Sequence, residues 1–245
     1  MELRLYQPEN GYCYNSDTLF LYDFISQFVP KGRVLEVGGG CGVLGLLIKR
    51  DFPSTEVTIV EKQPEMVEFI RENSRQNQLH VKVVEGDFLK LPIAGRFDFI
   101  ISNPPYYRNR LKSPNPNIEA ARSQDHLPLE QFLTRCNRLL KERGELIFCY
   151  APDELDRIFK LMPSPLRITD LRFMHPRLHK KGSLVLVRAK RHSKAQLKIH
   201  PPLIGFVGEE YSREAAQIYQ RANTKSIKVP IGEGRVLWEK LEKGE

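Results

Sequence analysis

The sequence predicts an α/β protein built on an open, mostly parallel β-sheet with helices on both faces. Short apolar runs rich in β-branched residues alternate with longer helical patterns through most of the 245 residues. The runs are nearly continuous in their apolar character, which is typical of parallel strands buried on both faces. Alternation of strand and helix requires right-handed crossovers, and these produce a doubly wound sheet.

The individual elements follow from this pattern. Pro64 marks the start of one helix, because proline is tolerated in the first turn, where its missing N–H has no partner. The predicted helices are Val43–Arg50, Pro64–Asn77, Leu127–Lys141, Pro152–Leu161 and Ser212–Arg221. The predicted strands are Val34–Gly38, Val57–Glu61, Val81–Glu85, Phe97–Ser102, Glu145–Tyr150, Ile168–Met174, Ser183–Ala189 and a short one at Ala195–His200.

The linker between the last two long strands is short, which suits an antiparallel neighbour rather than another crossover. We therefore expect a seven-stranded, mostly parallel sheet with an antiparallel member at the end. The length suits one large domain or a domain with an appendage. Residues 1–191 are predicted to form the main domain. This domain includes an N-terminal segment, residues 1–33, which is predicted to cover the ligand site at the sheet edge. Residues 192–245 are predicted to be a basic extension packed on it.

Composition excludes several classes of protein. The four cysteines are scattered without a Cys-x-x-Cys pair, and the six histidines add no metal-ligand spacing, so we predict no metal site and reduced thiols. The N-terminus lacks the apolar core of a signal peptide, and no run of 18 apolar residues follows. These features predict a soluble, cytosolic protein.

The positive charge is concentrated in the C-terminal part. Residues 1–150 carry 19 basic and 19 acidic side chains, whereas residues 151–245 carry 19 and 11. Between Arg172 and Lys198 there are nine Lys or Arg and no acidic residue. A one-sided basic surface favours a polyanion such as nucleic acid. A membrane surface is less favoured, because the stretch lacks the apolar helical face of an interfacial helix.

Val34–Gly42 is a strand that opens through glycines into a helix. Its spacing is Glu-x-Gly-x-Gly-x-Gly, formed by Glu36, Gly38, Gly40 and Gly42. Such glycines permit a tight turn and a close approach of the backbone to a ligand. The spacing differs from the dinucleotide fingerprint, and no P-loop Gly-Lys-Ser/Thr follows. An adenosine-type ligand without a phosphate chain is the natural candidate.

Two acidic residues extend this site. Glu61 ends the next predicted strand, 19 residues after Gly42, and a carboxylate there can accept hydrogen bonds from both ribose hydroxyls. Asp87 and Phe88 follow the third strand. Asp87 is predicted to accept from an adenine amino group while Phe88 packs on the ring.

The most specific motif is Asn103-Pro104-Pro105-Tyr106 at the end of the fourth strand. Two prolines directly after a buried strand end the ladder and fix the backbone. The Asn103 side chain and the Pro104 carbonyl are both acceptors, so together they can bind the two protons of a planar amino group. Tyr106 offers a flat face for stacking a base. The long irregular stretch Pro104–Asp125 starts here and contains Arg108, Arg110 and Lys112.

These residues, in this order and spacing, resemble class I S-adenosylmethionine-dependent methyltransferases. The tetrad is similar to that of the branch that methylates exocyclic or amide nitrogens, and across the chain the resemblance is to the bacterial tRNA adenine-N6-methyltransferases that act on adenine 37 of a valine tRNA. The similarity includes Gln7–Tyr12 with Ser16-Asp17, Phe173–Pro176, and the tail residues Pro201–Leu203 and Tyr211-Ser212.

The resemblance implies a Rossmann-like methyltransferase fold, S-adenosylmethionine as cofactor and tRNA as partner. It places Asp17 near the methionine end of the cofactor. The target adenine would leave its stack and meet Tyr106, with Asn103 and Pro104 holding N6. The predicted phosphate-binding cations, which would set affinity rather than sequence preference, are Arg108, Arg110, Lys112, Arg177, Lys180 and Lys181.

Three alternatives stay open. Ribosomal guanine-N2 methyltransferases are similar too, but their tetrad typically ends in Phe, where this chain has Tyr106. A glutamine-N5 methyltransferase acting on release factors carries a similar tetrad, but its pattern has a helical recognition domain before the glycine turn, and only about 33 residues precede it here. A non-catalytic RNA-binding factor on the same fold predicts decay of the cofactor residues, yet all of them are in place.

Overall fold

The computed structural model describes residues 1–11, 13–105, 127–232, 235, 236 and 238. The strands of its central sheet are β2 (Arg33–Val37), β3 (Glu56–Glu61), β4 (Lys82–Glu85), β5 (Phe97–Ser102), β6 (Leu140–Tyr150), β7 (Leu166–His175), β8 (Leu184–Arg191), β9 (Lys198–Ile199) and β10 (Leu203–Ile204). The order is β10-β7-β8-β6-β5-β2-β3-β4, and β9 pairs with β7 off this path.

The seven long strands of this sheet confirm the predicted architecture with one change of position. Strand β8 is antiparallel to β6 and also to β7, so the antiparallel strand lies inside the sheet rather than at its end. A hairpin joins β7 to β8, and β8 fills the place beside β6. Strand β7 therefore takes the outer position, and all long strands except β8 run in one direction.

Helices cover both faces of the sheet, and the residues between the layers form one continuous apolar core. The central strand β5 has four consecutive buried residues, Phe99–Ser102, as expected for a strand covered on both sides. The helices are α1 (Ser16–Ser26), α2 (Val43–Asp51), α3 (Pro64–Gln76), α4 (Leu129–Leu139), α5 (Leu155–Leu161) and α6 (Arg213–Ala222).

The two ends of the chain meet in a parallel pair of strands that the sequence analysis did not identify. Strand β1 (Leu3–Pro8) pairs with β13 (Thr224–Val229). The side chain of Asn73 on α3 bonds both the N–H and the C=O of Tyr6, at 2.7 and 3.0 Å, and Asn77 does the same for Arg4. Strand β1 is thus tied to α3, and β13 is held through its pairing with β1. Asn73 Nδ2 also donates to the Cys41 carbonyl in the glycine turn at 2.9 Å.

The region after β8 contributes α6 and several short strands, of which β9 and β10 extend the central sheet beside β7. Ser212 caps α6 as an N-cap residue, accepting a hydrogen bond from the Ala215 N–H at 3.0 Å. Arg172 on β7 reaches Glu214 on α6 at 2.6 Å. The remaining short strands are β11 (Phe206–Val207), β12 (Glu210–Tyr211), β14 (Ile231–Gly232) and β15 (Arg235–Val236).

The other predicted helices and strands are present, with shifted boundaries. The helix predicted to reach Lys141 ends at Leu139, and β6 starts at once and is longer than predicted. The predicted strand Ala195–His200 is reduced to β9. Within the described ranges, no helix has the length and apolar character needed to cross a membrane, and no three His, Cys, Asp or Glu side chains are grouped to hold a metal ion.

Candidate active site

The predicted site residues converge because parallel strands end at the same edge of a sheet. Strands β2, β3, β4 and β5 are mutually parallel through β2–β3, β3–β4 and β2–β5 pairing. Their C-terminal ends therefore carry the glycine turn, Glu61, Asp87 and Asn103 to one edge. Open α/β sheets bind ligands in the crevice at this edge.

The glycine turn is shaped by residues with positive φ. Gly38 and Gly40 have φ of 71° and 53°, and a Cβ built on either would meet no atom within 4 Å. Both therefore leave open space where a ligand can approach the backbone. Gly42, with φ 81°, has a different role: it is the N-cap of α2, and a Cβ there would lie 3.1 Å from Ile70. Gly42 thus serves helix packing.

Glu61 is held by the backbone around it. One carboxylate oxygen, Oε1, accepts from the N–H groups of Lys62 and Gln63 at 2.7 and 2.9 Å, and Oε2 accepts from Gly40 N–H at 2.9 Å. Burial raises the pKa of Glu61, and these three backbone hydrogen bonds oppose the rise. A carboxylate has about four lone-pair positions, so Oε2 keeps one position for a further donor.

Glu36 lies beneath the glycine turn, almost fully buried. Its Oε2 accepts from the Gly45 N–H in the first turn of α2 at 2.9 Å. Burial raises the pKa of Glu36 to about 8, with a further rise from the nearby Glu61 carboxylate, and the Gly45 hydrogen bond only partly offsets it. Near neutral pH, Glu36 is therefore mostly protonated.

We expect Glu36→Gln to remove a pH dependence of stability. The pKa of Glu36 is raised in the folded protein from 4.5 to about 8, so the native state holds a proton that the unfolded state has lost. Stability from this group is complete below pH 4.5 and is lost as pH rises towards 8, by roughly 1 kcal/mol per pH unit. Urea unfolding of both proteins from pH 5.5 to 9 measures this, and a constant difference across that range would contradict it.

Asp87 and Phe88 close the site on the β4 side. Asp87 Oδ1 accepts from the Leu89 N–H at 2.9 Å, and Oδ2 lies 3.5 Å from Lys62 Nζ. Phe88 is buried against Phe132, with ring centroids 6.3 Å apart. Phe88 thus combines a core position with a place in the wall of the cavity.

Asn103 follows the last residue of β5, and its side-chain amide is bonded at both ends. Nδ2 donates to Thr18 Oγ1 at 3.1 Å, and Oδ1 accepts from the Cys149 thiol at 2.9 Å. Neither partner was identified from the sequence. Thr18 lies on α1, which the sequence analysis missed, and Cys149 is aligned with Asn103 only by the register of β5 and β6.

A cavity of about 410 Å³ lies among these residues, within the usual range for small-molecule sites. Gly38, Gly40, Glu61, Asp87, Phe88 and Asn103 all line it. A smaller cavity of about 50 Å³ is lined by Tyr14, Thr18 and Glu36 and shares Gly38, Gly40 and Asn103. The open glycine backbone, the free lone pair of Glu61 and the apolar wall fit an adenosine.

Not every predicted residue lies in these walls. Asp17 lines neither cavity, although its neighbour Thr18 does; Asp17 instead bonds Asn15 at 3.2 Å. Pro104 is buried, and Pro105 lines the larger cavity. Arg177, Lys180 and Lys181 are exposed in the β7–β8 turn. The residues that lie outside the described ranges are Tyr106, Arg108, Arg110 and Lys112.

This doubly wound sheet, with a glycine turn, a buried carboxylate and an Asn-Pro-Pro strand end at one edge, has the fold of a class I methyltransferase. A comparison with family descriptions identifies the family itself. The chain belongs to the methyltransferase small domain family, which matches residues 15–154, more than half of its length. Its cofactor is S-adenosylmethionine, and the cavity described above fits the adenosine part of that molecule.

Individual relatives agree with this assignment. A tRNA1(Val) (adenine(37)-N6)-methyltransferase from Porphyromonas gingivalis is 28% identical over 211 residues, covering 78% of this chain and 82% of the relative. A release factor glutamine methyltransferase from Deinococcus radiodurans is 46% identical over 78 residues, covering 32% of this chain and 28% of the relative. The crystal structure of a predicted O-methyltransferase from Agrobacterium tumefaciens has a TM-score of 0.66 at 20% identity, covering 87% of this chain and 100% of that protein. This similarity concerns the fold.

Proposed function

We propose that this protein transfers a methyl group from S-adenosylmethionine to the exocyclic N6 of adenine 37 in a valine tRNA. The single observation that carries the proposal is the Asn103 amide, which lines the cofactor cavity and keeps an acceptor position on Oδ1. The relative from Porphyromonas gingivalis, whose similarity covers most of both chains, supports the choice of acceptor.

The chemistry at Asn103 follows from the acceptor groups of the motif. The cofactor supplies an electrophilic methyl group on a sulfonium. Adenine N6 is a poor nucleophile, because its lone pair is delocalised into the ring. Hydrogen bonds from the two N6 protons to Asn103 Oδ1 and to the Pro104 carbonyl favour a pyramidal nitrogen with a localised lone pair. Holding that nitrogen in line with the methyl group then provides most of the acceleration.

The sheet topology supports a place for the RNA beside the site. Strand β7 is parallel to β6 and β5, because β8 is antiparallel to both of its neighbours. The turn formed by residues 175–183, here called the basic turn, therefore lies at the same edge as Asn103. Three strand spacings separate β7 from β5, or about 14 Å. This is a distance that a few nucleotides span.

The basic stretch seen in the sequence does not form one surface. Arg172 and Arg188 are largely buried in ion pairs with carboxylates, and Lys194 follows β8 at the opposite edge. In the basic turn, by contrast, Arg177, Lys180 and Lys181 are exposed. The turn is held by hydrogen bonds from Lys180 N–H to the Arg177 carbonyl and between His175 Nδ1 and the Lys180 carbonyl, at 2.9 and 2.8 Å.

We expect the paired change Lys180→Ala and Lys181→Ala to weaken tRNA binding about tenfold at moderate salt and to make its salt dependence shallower. Each lost phosphate contact reduces the slope of log K against log salt by about 0.7–0.9. The matched control is Lys194→Ala with Lys198→Ala, which removes the same charge away from this edge. Titrations of labelled tRNA at several salt concentrations measure both, and equal effects of the two pairs would contradict the proposed surface.

Methylation of a release-factor glutamine is the second candidate, and a specific observation favours it. The relative from Deinococcus radiodurans has the higher local identity. Its match covers about a third of this chain, however, whereas the match to the tRNA enzyme extends over 78%. An RNA-binding factor without activity is less well supported, because the glycine turn and the hydrogen bonds around Glu61 are complete.

The test supplies the purified protein with isotope-labelled S-adenosylmethionine and one acceptor at a time. The acceptors are bulk tRNA and ribosomal RNA from a strain that lacks the gene, and a release factor with an unmodified glutamine. We expect label in N6-methyladenosine after the tRNA is digested to nucleosides. Label in the release factor alone would support the second candidate. Label in neither the tRNA nor the release factor would contradict both candidate functions.

A further inference from the structure

The two ends of the Asn103 amide differ in what they can bind. A primary amide has one acceptor end and one donor end, and only the acceptor end can bind an N–H of the target amino group. A rotation of 180° about the last side-chain bond would present the NH₂ group instead and repel the substrate. The site therefore needs something that fixes the orientation of the amide.

The register of the sheet brings Cys149 to this position. Ser102 at the end of β5 is aligned with Phe148 on β6, so the next residues along, Asn103 and Cys149, are neighbours. The Cys149 thiol lies 2.9 Å from Asn103 Oδ1. At the other end of the amide, Nδ2 lies 3.1 Å from the Thr18 hydroxyl. Both partner residues are buried.

We propose that Cys149 is a positioning residue, whose S–H bond to Oδ1 holds the Asn103 amide with its oxygen towards the acceptor nitrogen. Thr18 completes the arrangement by accepting from Nδ2. The second lone pair of Oδ1 then stays available to the substrate. This inference rests on the proposed function in that Asn103 binds the nitrogen to be methylated.

The chemical state of the thiol agrees with this role. Burial raises the pKa of Cys149 well above its usual range, and the carboxylate of Asp17 raises it further. The sulfur therefore keeps its proton, which makes it a donor. A protonated thiol is also a weak nucleophile, so Cys149 does not compete with the substrate for the methyl group.

The experiment compares Cys149→Ala, which removes the donor, with Cys149→Ser, which keeps one. Cys136 provides the matched control, since it is an equally buried free thiol on α4; Cys136→Ala and Cys136→Ser are measured alongside. We expect kcat to fall about three- to tenfold in Cys149→Ala, the rate equivalent of one neutral hydrogen bond. Cys149→Ser should recover most of the loss, and both Cys136 variants should keep the wild-type kcat.

The dissociation constant of S-adenosylmethionine and the KM for tRNA should change less than twofold in the Cys149 variants, which distinguishes positioning from a general loss of structure. An unchanged kcat in Cys149→Ala, or a kcat in Cys149→Ser as low as in Cys149→Ala, would overturn the proposal. If Cys149→Ala does not fold, Thr18→Val against Thr18→Ser measures the other end of the amide, with the same expected loss and recovery of kcat.

Failure of the proposed function is recognised separately. If the wild-type protein methylates a release-factor glutamine and no tRNA, the acceptor is wrong. The Cys149 comparison is then made on that reaction, because a glutamine amide nitrogen would also be bound by Asn103 Oδ1. Its outcome supports or overturns the positioning role independently of the acceptor.

Discussion

Asn103→Ala is expected to reduce kcat for methyl transfer at least about a hundredfold while the protein stays folded. The change removes the acceptor that binds the target amino group, and the loss of one preorganised polar group at a reacting centre typically lowers kcat by 10²–10³. Because this interaction matters most as the nitrogen becomes pyramidal, the KM for tRNA should change much less than kcat. Single-turnover transfer of labelled methyl to saturating tRNA measures the effect.

Asn137→Ala is a suitable control for this prediction. Asn137 is a partly exposed asparagine on α4 whose side chain donates to the Ser164 carbonyl at 3.0 Å, and it lies outside both cavities. It should keep the wild-type kcat. Binding of S-adenosylmethionine to Asn103→Ala, followed by calorimetry, should remain within a few-fold of wild type. Full activity of Asn103→Ala on saturating tRNA would contradict the chemistry proposed here.

Arg188→Met should have the largest effect on stability, lowering the free energy of unfolding by about 3–5 kcal/mol. The guanidinium makes two hydrogen bonds of 2.8 Å to the carboxylate of Glu145 and one of 2.8 Å to Asp170. It also lies 4.0 Å from the centroid of the Phe28 ring. Both carboxylates are buried. Removing the arginine takes away three of their hydrogen bonds and leaves Glu145 with Lys190 and Asp170 with His200, each at 2.9 Å.

The neighbouring strand provides the control for Arg188→Met. Arg167 is an exposed arginine on β7, and Arg167→Met should change the free energy of unfolding by less than about 0.5 kcal/mol. Urea unfolding at pH 7 measures both variants. A loss below about 1 kcal/mol in Arg188→Met would contradict the view that this ion pair network joins β6, β7 and β8.

Local sequence patterns predicted most of the sheet. Strand Phe97–Ser102 matches its predicted bounds, because a continuous apolar run ends there at Asn103-Pro104-Pro105. Helix α1 was missed because its residues Thr18–Ile25 are buried all round, so no polar face gives the sequence a helical period. The β1–β13 pair joins residues more than 200 positions apart, and short-range patterns contain no signal for such pairing.

The candidate site likewise contains features that the sequence predicts and contacts that it does not. Glycine spacing, Glu61 and the Asn103 motif could be predicted, since each follows directly from a strand end. The Cys149 contact could not, because it depends on which residues of β5 and β6 are aligned. The role of the basic residues likewise depended on topology. The direction of β8 separates the exposed basic turn from Lys194, although Lys194 follows the last residue of the turn by only 11 positions in the sequence.

One measurement tests the central claim most directly: methylation of two valine tRNA transcripts that differ only at position 37, one with adenine and one with guanine. The proposed function predicts incorporation that approaches one methyl group per adenine-37 transcript, recovered as N6-methyladenosine, and background label in the guanine-37 transcript. Equal labelling of the two transcripts, or none in either while another acceptor is methylated, would contradict it.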